Sequence, residues 1–323
     1  MKALVVHQFG DTPNMQIETR HIPEIKPGYS LVKMHAATVN PLSHLIRSGV
    51  IPQAQPPLVL SNDGSGIVEK SQRFAEGTRV AIYGGGQLGI TEDGLQQQWV
   101  LVEDKRLIEL PTDFDLDEGA ALPINYVTAY QALTRIGQVK VGQKVLISGA
   151  SGSVGHALIQ TAIALGAIPI AIVSTPEKVD RAQRSGAQIV IDLSTQDLLQ
   201  TVLDVTQGQG ADLAFDPVGG ALLGQLLKAL RPRGALVSIG FLGGITGSFD
   251  LPDLVIHEKQ VLGYDAWMET DADVEHAFTA LTQFIAEGHL KPSIDSCFPL
   301  EQYDAAYKRL ASREATGTIL LHL

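Results

Sequence analysis

Cysteine is almost absent: Cys297 is the only one among 323 residues. An internal disulfide is therefore excluded, and so is a thiolate zinc cage within one chain. Charge is also sparse. Charged residues make up 18% of the chain, below the roughly 25% of ordinary globular proteins. Basic residues are outnumbered, and the formal net charge of −11 argues against nucleic acid or an anionic membrane as partner. No long uninterrupted apolar run exists. The longest apolar region, Ala157 to Val173, is broken by Gln160, Thr161, Gly166 and Pro169, which split it into a helix and a strand rather than a membrane span. The opening MKALVVHQFG lacks the plan of a signal peptide. Together with the single cysteine, this predicts a cytoplasmic, reducing setting.

What is present in quantity is hydrophobic residues, at 45%, enough for full-sized cores in about two domains. Residues 1 to about 120 read as β-rich. YSLVKMHAATV, GSGIVEK, GTRVAIYG and QQWVLV are separated by glycine and proline. PPLVLSNDGSG and YGGGQLGITEDG read as surface loops. After about Leu122 the rhythm changes. KVLIS, IPIAIV, QIVID, DLAFD, ALVSIG and QVLGY alternate with helical segments, which predicts a doubly wound parallel sheet. The last segment reads as a helix, a strand SCFPL, a second helix and a terminal strand TILLHL.

The centre of the chain reads VLISGASGSVGHALIQ. A dinucleotide turn needs a strand, glycines and then a helix whose first amides face the phosphates. Gly152 and Gly155 stand where the second and third glycines belong, with Ala150 at the first position and Gly149 before it. Five further strand–helix alternations follow, and GFLGG comes after a later strand. The turn is read as a dinucleotide cradle. NAD sites usually end the second strand with Asp or Glu on the ribose. Here IPIAIV runs into Ser174 and Thr175, with Lys178 close behind. A hydroxyl and a cation suit a 2′-phosphate, so NADPH is the expected cofactor. Glu177 is a competing acceptor for the hydroxyl of NAD. Arg181 and Arg184 read as solvated helix charges.

MKALVV…FG, AATVNPLSHLIRSG, GTRVAIYG, AALPINYVTAYQAL, VLISGASGSVG, FDPVGG and LRPRGALVSIG occur in this order, ending in GHLKPSIDSCFPLEQYDAAYKRLASREATG. Over essentially its whole length the chain resembles the zinc-independent quinone oxidoreductases, the zeta-crystallin-like branch of the medium-chain dehydrogenase/reductases. The resemblance implies an α/β fold. A β-rich GroES-like catalytic domain (1–122 and 265–323) would be interrupted by a Rossmann cofactor domain with a doubly wound parallel sheet (123–264). It also implies a homodimer or larger homo-oligomer. It assigns Asn40, Thr128, Gly152, Ser153, Val154, Ser174, Lys178, Gly240, Phe241 and Arg313 to NADPH. Arg313 has a competing reading as a helix-end cation.

Two departures stand out. Relatives often carry Asp and Tyr in the NPxDxYIRSG region, where this chain has Ser43 and Leu45 around His44. Many carry a tyrosine after the third strand, where this chain has Leu193.

Zinc-dependent relatives place a cysteine before the first active-site helix and a Gly-His-Glu motif further on. This chain has AATVNP and Leu60-Ser61-Asn62-Asp63-Gly64 instead, with Asn62 where the histidine would be. Zinc wants histidine nitrogen or cysteine sulfur, so no metal is expected. The nine histidines show no close ligand spacing and each reads as an ordinary surface or core residue. The expected reaction is hydride transfer from NADPH to a quinone, or to the double bond of an enone or 2-enal. Asn40, Tyr126 and His44 are candidate donors to the developing oxyanion. Tyr126 reads equally as a packing aromatic, and His44 as a surface helix residue. The rival class is a nucleotide-binding sensor without turnover.

Overall fold

The computed structural model describes residues 1–312 and 314–323. They divide into two compact units. The first holds Met1–Ile124, Phe278–Ala286 and Lys291–Leu323, and the second Asn125–Ala277 and Glu287–Leu290.

The first unit is built on a seven-stranded sheet. Its path runs Ile294–Pro299, Thr318–His322, Tyr29–Thr38, Asp63–Lys70, Arg79–Tyr83 and Leu107–Glu109, with Trp99–Glu103 also pairing with Tyr29–Thr38. All pairs are antiparallel except the first. Period-two alternation explains the core. In Trp99–Glu103, Val100 and Val102 point inward and join Val32, Val68, Val80 and Ile82. Each such side chain contributes about 1.5–3 kcal/mol on burial. A smaller sheet pairs Lys2–Gln8 with Asn14–Thr19 and Leu58–Val59.

The two segments read as surface loops reach the surface only in part, at Pro56 and Pro57 and at Gln87 and Thr91 to Asp93. Leu58, Val59, Leu60, Ser61, Asn62 and Asp63 are all buried, and Leu88 and Ile90 of the second segment are buried as well. The cause is glycine. A Cβ on Gly94 or Gly89 would lie 2.2 or 2.6 Å from the Ser61 carbonyl oxygen. The two segments can pack backbone to backbone only because these side chains are missing.

The second unit is an all-parallel six-stranded sheet: β1 (Lys144–Ile147), β2 (Ile168–Val173), β3 (Ile189–Asp192), β4 (Ala211–Asp216), β5 (Leu230–Ser238) and β6 (Gln260–Gly263). Their order is β3-β2-β1-β4-β5-β6, the doubly wound arrangement whose direction reverses between β1 and β4. Unlike the edge strand β6, which is mostly exposed, the central strands β1, β2 and β4 are buried almost throughout. Their sequences are correspondingly continuous runs of Val, Ile, Leu and Ala rather than alternating ones. Helix α1 (Ser153–Ala164) follows β1 and buries Ala157, Leu158, Ile159 and Ala162. Among the described residues no helix is long and apolar enough to cross a membrane.

Candidate active site

In the second unit, β1 and β4 are neighbours in register, Ile147 beside Phe215. A glycine-bearing segment leaves the carboxyl end of each. Asp216 closes β4 and is fully buried. Its Oδ1 accepts from the Ser148 hydroxyl, 2.5 Å away, and from the backbone amides of Val218 and Gly219 at 3.0 and 3.1 Å. One carboxylate thus holds both segments at the switch point of the sheet.

Three glycines in the first segment have three different reasons. Gly149 has φ +56°, a backbone that glycine adopts without cost. At Gly155 a Cβ would meet the Gly149 carbonyl oxygen at 2.2 Å and Ala150 Cα at 2.8 Å, so glycine lets α1 close on the turn. Gly152 differs. It is the N-cap of α1 with ordinary extended φ and ψ, and a Cβ there would touch only the Gly149 oxygen, at 3.4 Å. The fold itself does not require glycine at 152. Ser153 and Val154 follow at the start of α1, where amides point out of the helix end.

At the end of β2 the structure brings Ser174 and Lys178 together, with Lys178 Nζ donating to Ser174 Oγ at 3.1 Å. Glu177 accepts from Thr175. Its own backbone amide and the Thr175 hydroxyl hold its carboxyl below the usual range. Arg181 is a correction. It is half-buried, and its Nε donates to the Ser151 carbonyl oxygen at 2.6 Å, so it braces the glycine turn instead of projecting into water. Leu193, in the position where many relatives have tyrosine, packs against the core of this unit. In the 240s loop, a Cβ on Gly240 would sit 2.5 Å from the Pro217 oxygen, while Phe241 is 55% exposed.

Two expected residues lie inside the second unit. Tyr126 is 1% exposed and its hydroxyl donates to Gln160 Oε1 at 2.6 Å, an arrangement that suits the packing reading. Thr128 is buried and its hydroxyl bonds Tyr264. Burial, then the charge of Glu269, pushes that Tyr264 phenol up. Arg313 lies outside the described residues.

In the first unit, Asn40 occupies the N-cap of the helix Pro41–Arg47, with Pro at the first position. Asparagine is among the best capping side chains, yet this one makes no capping bond. Its Nδ2 donates instead to Asp63 Oδ1 at 2.8 Å. Asp63 is fully buried, and the same oxygen accepts from the Thr38 hydroxyl. Thr38 in turn meets Ser61 Oγ at 3.2 Å. Burial pushes the Asp63 carboxyl up to about 7, against the opposing pull of the Thr38 and Asn40 hydrogen bonds. The network continues inward. Gln96 donates to the Thr38 carbonyl at 3.0 Å and accepts from the Tyr307 hydroxyl at 3.2 Å. Buried Ser43 bonds the same tyrosine, whose phenol burial pushes up to about 12. His44 accepts at Nδ1 from Arg47, 3.3 Å away, and burial, aided by Arg47, lowers its pKa.

Asp63 was visible in SNDG but carried no role while that segment read as a surface loop. The signal was a carboxylate set among Val, Leu and Ile. The donors gathered here are two hydroxyls, an amide and a carboxylate. Among the described residues this cluster holds no histidine or cysteine, and such a set does not fit zinc. Elsewhere in the unit, two histidines do converge. His35 Nε2 and His322 Nε2 each lie 2.8 Å from Asp117 Oδ1, a convergence that the sequence spacing of the histidines does not show.

Comparison with known proteins agrees with these two units. The family described as alcohol dehydrogenase GroES-like domain matches residues 26–112, and the one described as zinc-binding dehydrogenase matches residues 153–287. A 2-haloacrylate reductase from Burkholderia sp is 30% identical, covering 99% of this chain and 98% of its own. A quinone oxidoreductase from Pseudomonas aeruginosa is 30% identical over 94% of this chain and 95% of its own. The crystal structure of a Pseudomonas syringae pv. Tomato DC3000 quinone oxidoreductase superposes with a TM-score of 0.86 at 27% identity, covering 100% of this chain and 99% of that one. Fold, order of units and full-length similarity converge on one assignment: the chain is an oxidoreductase of the medium-chain dehydrogenase/reductase superfamily, in its quinone oxidoreductase branch, with the Rossmann unit of its nicotinamide-dependent members.

Proposed function

We propose that this enzyme is a metal-independent reductase that takes NADPH and delivers hydride to quinones. The observation that carries the reading is Gly152. It is the one glycine of the turn whose missing side chain the fold does not need, and it caps a twelve-residue helix at the sheet's switch point. A bare backbone beside helix amides is what a pyrophosphate requires. The Ser174–Lys178 pair supports NADPH, because it offers a hydroxyl and an ammonium where an NAD site usually holds a carboxylate. Gly152, Ser153, Val154, Ser174 and Lys178 would hold the dinucleotide, with Gly240, Phe241, Thr128 and Arg313 added by resemblance.

When bound, the reduced nicotinamide supplies the hydride. The chain's own part is to orient, exclude water and stabilise charge. Asn40 has one amide hydrogen committed to Asp63 and a second left to donate to a quinone oxygen as negative charge develops there. His44, with Nδ1 bonded to Arg47, carries its hydrogen on Nε2 and is a neutral second donor. Tyr126 is the weakest of the three, since its hydrogen is already given to Gln160. The hydroquinone anion then takes its proton from solvent. No step uses zinc, since the residues at the expected zinc position are the wrong donors. The domain division 1–122 with 265–323 and 123–264 belongs to the same reading, as does a cytoplasmic setting.

A second reading has its own support in the 2-haloacrylate reductase similarity: hydride addition to one carbon of an activated double bond and a proton to the other. The deciding experiment follows the near-ultraviolet absorbance of NADPH, and separately NADH, in chelator-treated enzyme. The acceptors are a small quinone, an ortho-quinone, a 2-enal and a 2-haloacrylate. Oxidation of NADPH by a quinone, unaffected by chelator, is expected. Turnover with the alkenes alone selects the second reading. NADPH binding without turnover selects a sensor, and no binding overturns the assignment of the turn.

A further inference from the structure

Three side chains outside the site described above form a compact donor set. His35 stands on the strand Tyr29–Thr38 and His322 on the strand Thr318–His322. Asp117 lies in the first turn of the helix Leu116–Ala121. The two strands pair antiparallel, and the Leu323 amide donates to the His35 carbonyl at 3.1 Å. The helix start is fixed by Asp115, whose side chain accepts from the amides of Asp117 and Glu118. All three backbones are thus set before any ligand arrives. Both imidazoles turn Nε2 toward the same carboxylate oxygen, at 2.8 Å each, with ring centroids 5.2 Å apart. The three ligand atoms lie within 4.8 Å of one another.

We propose that His35, Asp117 and His322 form a binding site for a divalent ion of the zinc class, separate from the Asn40–Asp63 cluster. Zinc bonds to nitrogen and oxygen at about 2.0–2.2 Å, which puts tetrahedral ligand atoms about 3.3 Å apart. Opening the present 2.8 Å contacts by about half an ångström admits the ion. Two imidazole nitrogens and one carboxylate oxygen suit zinc, copper or nickel, whereas magnesium and calcium prefer all-oxygen shells. The side chains are 40%, 25% and 42% exposed for His35, Asp117 and His322. An ion therefore reaches them from solvent, and water takes the fourth position. Cys297 flanks the site, with Sγ 3.6 Å from the other Asp117 oxygen. Bound metal would clamp the terminal strand to its neighbour and to the helix, so the role is structural.

Chelator-treated, dialysed protein is titrated with zinc chloride by calorimetry, and separately with magnesium chloride. One zinc per chain is expected, with micromolar or tighter affinity, no magnesium uptake and a higher melting temperature on zinc addition. His35→Gln and His322→Gln keep a donor toward Asp117 and should each weaken zinc at least tenfold. Histidine-ring NMR on the unmodified protein is independent of how the variants fold. Zinc should move the signals of two of the nine histidines. No zinc uptake overturns the proposal. So does uptake undiminished in both variants, or a ring response confined to other histidines; each leaves the trio a hydrogen-bonded cluster only.

Discussion

Asn40 Nδ2 donates to Asp63 Oδ1 at 2.8 Å, and in doing so leaves the helix it introduces without a side-chain cap. A cap of this kind is typically worth about 1 kcal/mol. The asparagine is therefore held by a buried acid at the expense of its ordinary local role. That acid has a measurable signature. Its carboxyl is raised to about 7 from 3.8 by burial. A raised carboxyl binds its proton more tightly in the folded state, so folding is favoured most at low pH. Stability falls as pH climbs from about 4 to about 7 and stays lower above that. At 1.36 kcal/mol per unit the full effect is on the order of 4 kcal/mol. Asp63→Asn keeps an acceptor for Thr38 and Asn40 and removes the titration. The expected result is a melting-temperature advantage for the variant that is near zero at pH 4, grows to pH 7 and then levels off. A constant difference across this range would show that Asp63 ionises as an ordinary surface carboxylate.

Lys178 and Arg181 stand three residues apart and should behave differently. Lys178 meets Ser174, which fits a role toward a 2′-phosphate only. Arg181 holds Ser151 in the glycine turn, which serves any dinucleotide. A charged hydrogen bond is worth about 1.5–3 kcal/mol. Lys178→Ala should therefore raise the KM for NADPH roughly 10- to 100-fold and leave that for NADH nearly unchanged. Arg181→Gln should weaken both cofactors alike. Steady-state kinetics with each nucleotide separates the two cases, and an unchanged preference in Lys178→Ala would remove the 2′-phosphate assignment.

Much of the second unit is legible in the sequence because its central strands are buried on both faces and its helices are not. KVLI, IPIAIV and ADLAFD stand out as apolar runs, and α1 begins at Ser153 where the glycine spacing puts it. What escapes sequence reading depends on contacts between distant segments. Ser61, Asn62, Asp63 and Gly64 are turn-type residues, and nothing local says that Gly89 and Gly94 will close over them. Arg181 and Arg184 share a helix, and the helical period does not say which one meets Ser151. His35, Asp117 and His322 are 82 and 205 residues apart in successive steps, so no spacing motif could announce them. Ser43 shows the opposite limit. Its difference from relatives was plain, but its bond to Tyr307 emerges only from packing.

Tyr307 gives a direct test of that buried network. Its hydroxyl lies between Ser43 and Gln96, fully buried, with the Arg47 guanidinium 4.0 Å above the ring centroid. Tyr307→Phe keeps the ring and that stacking but strands two buried polar side chains. The expected cost is about 1–3 kcal/mol of stability, read as a lower midpoint in urea with an unchanged slope. The double variant Tyr307→Phe with Ser43→Ala should recover part of the loss, because one stranded hydroxyl is then gone.

The glycine turn yields the sharpest contrast, because two of its glycines are predicted to fail in opposite ways. At Gly155 the added methyl would collide with backbone on the neighbouring residues of the turn, and backbone cannot rotate aside as a side chain can. Gly155→Ala should cost roughly 1–3 kcal/mol of folding stability, the usual range for overpacking. At Gly152 the chain's own atoms leave room, and its extended backbone is one that valine adopts readily. Gly152→Val should therefore melt within a few degrees of the parent. Its branched side chain would still occupy the approach to the helix amides, so NADPH affinity should fall by at least about a hundredfold, equivalent to roughly 2.7 kcal/mol. Thermal denaturation and nucleotide titration on the two variants read the two effects separately. Normal NADPH binding by Gly152→Val would mean that the open space beside that residue is not where the pyrophosphate lies, and the turn would be a packing corner between β1 and α1.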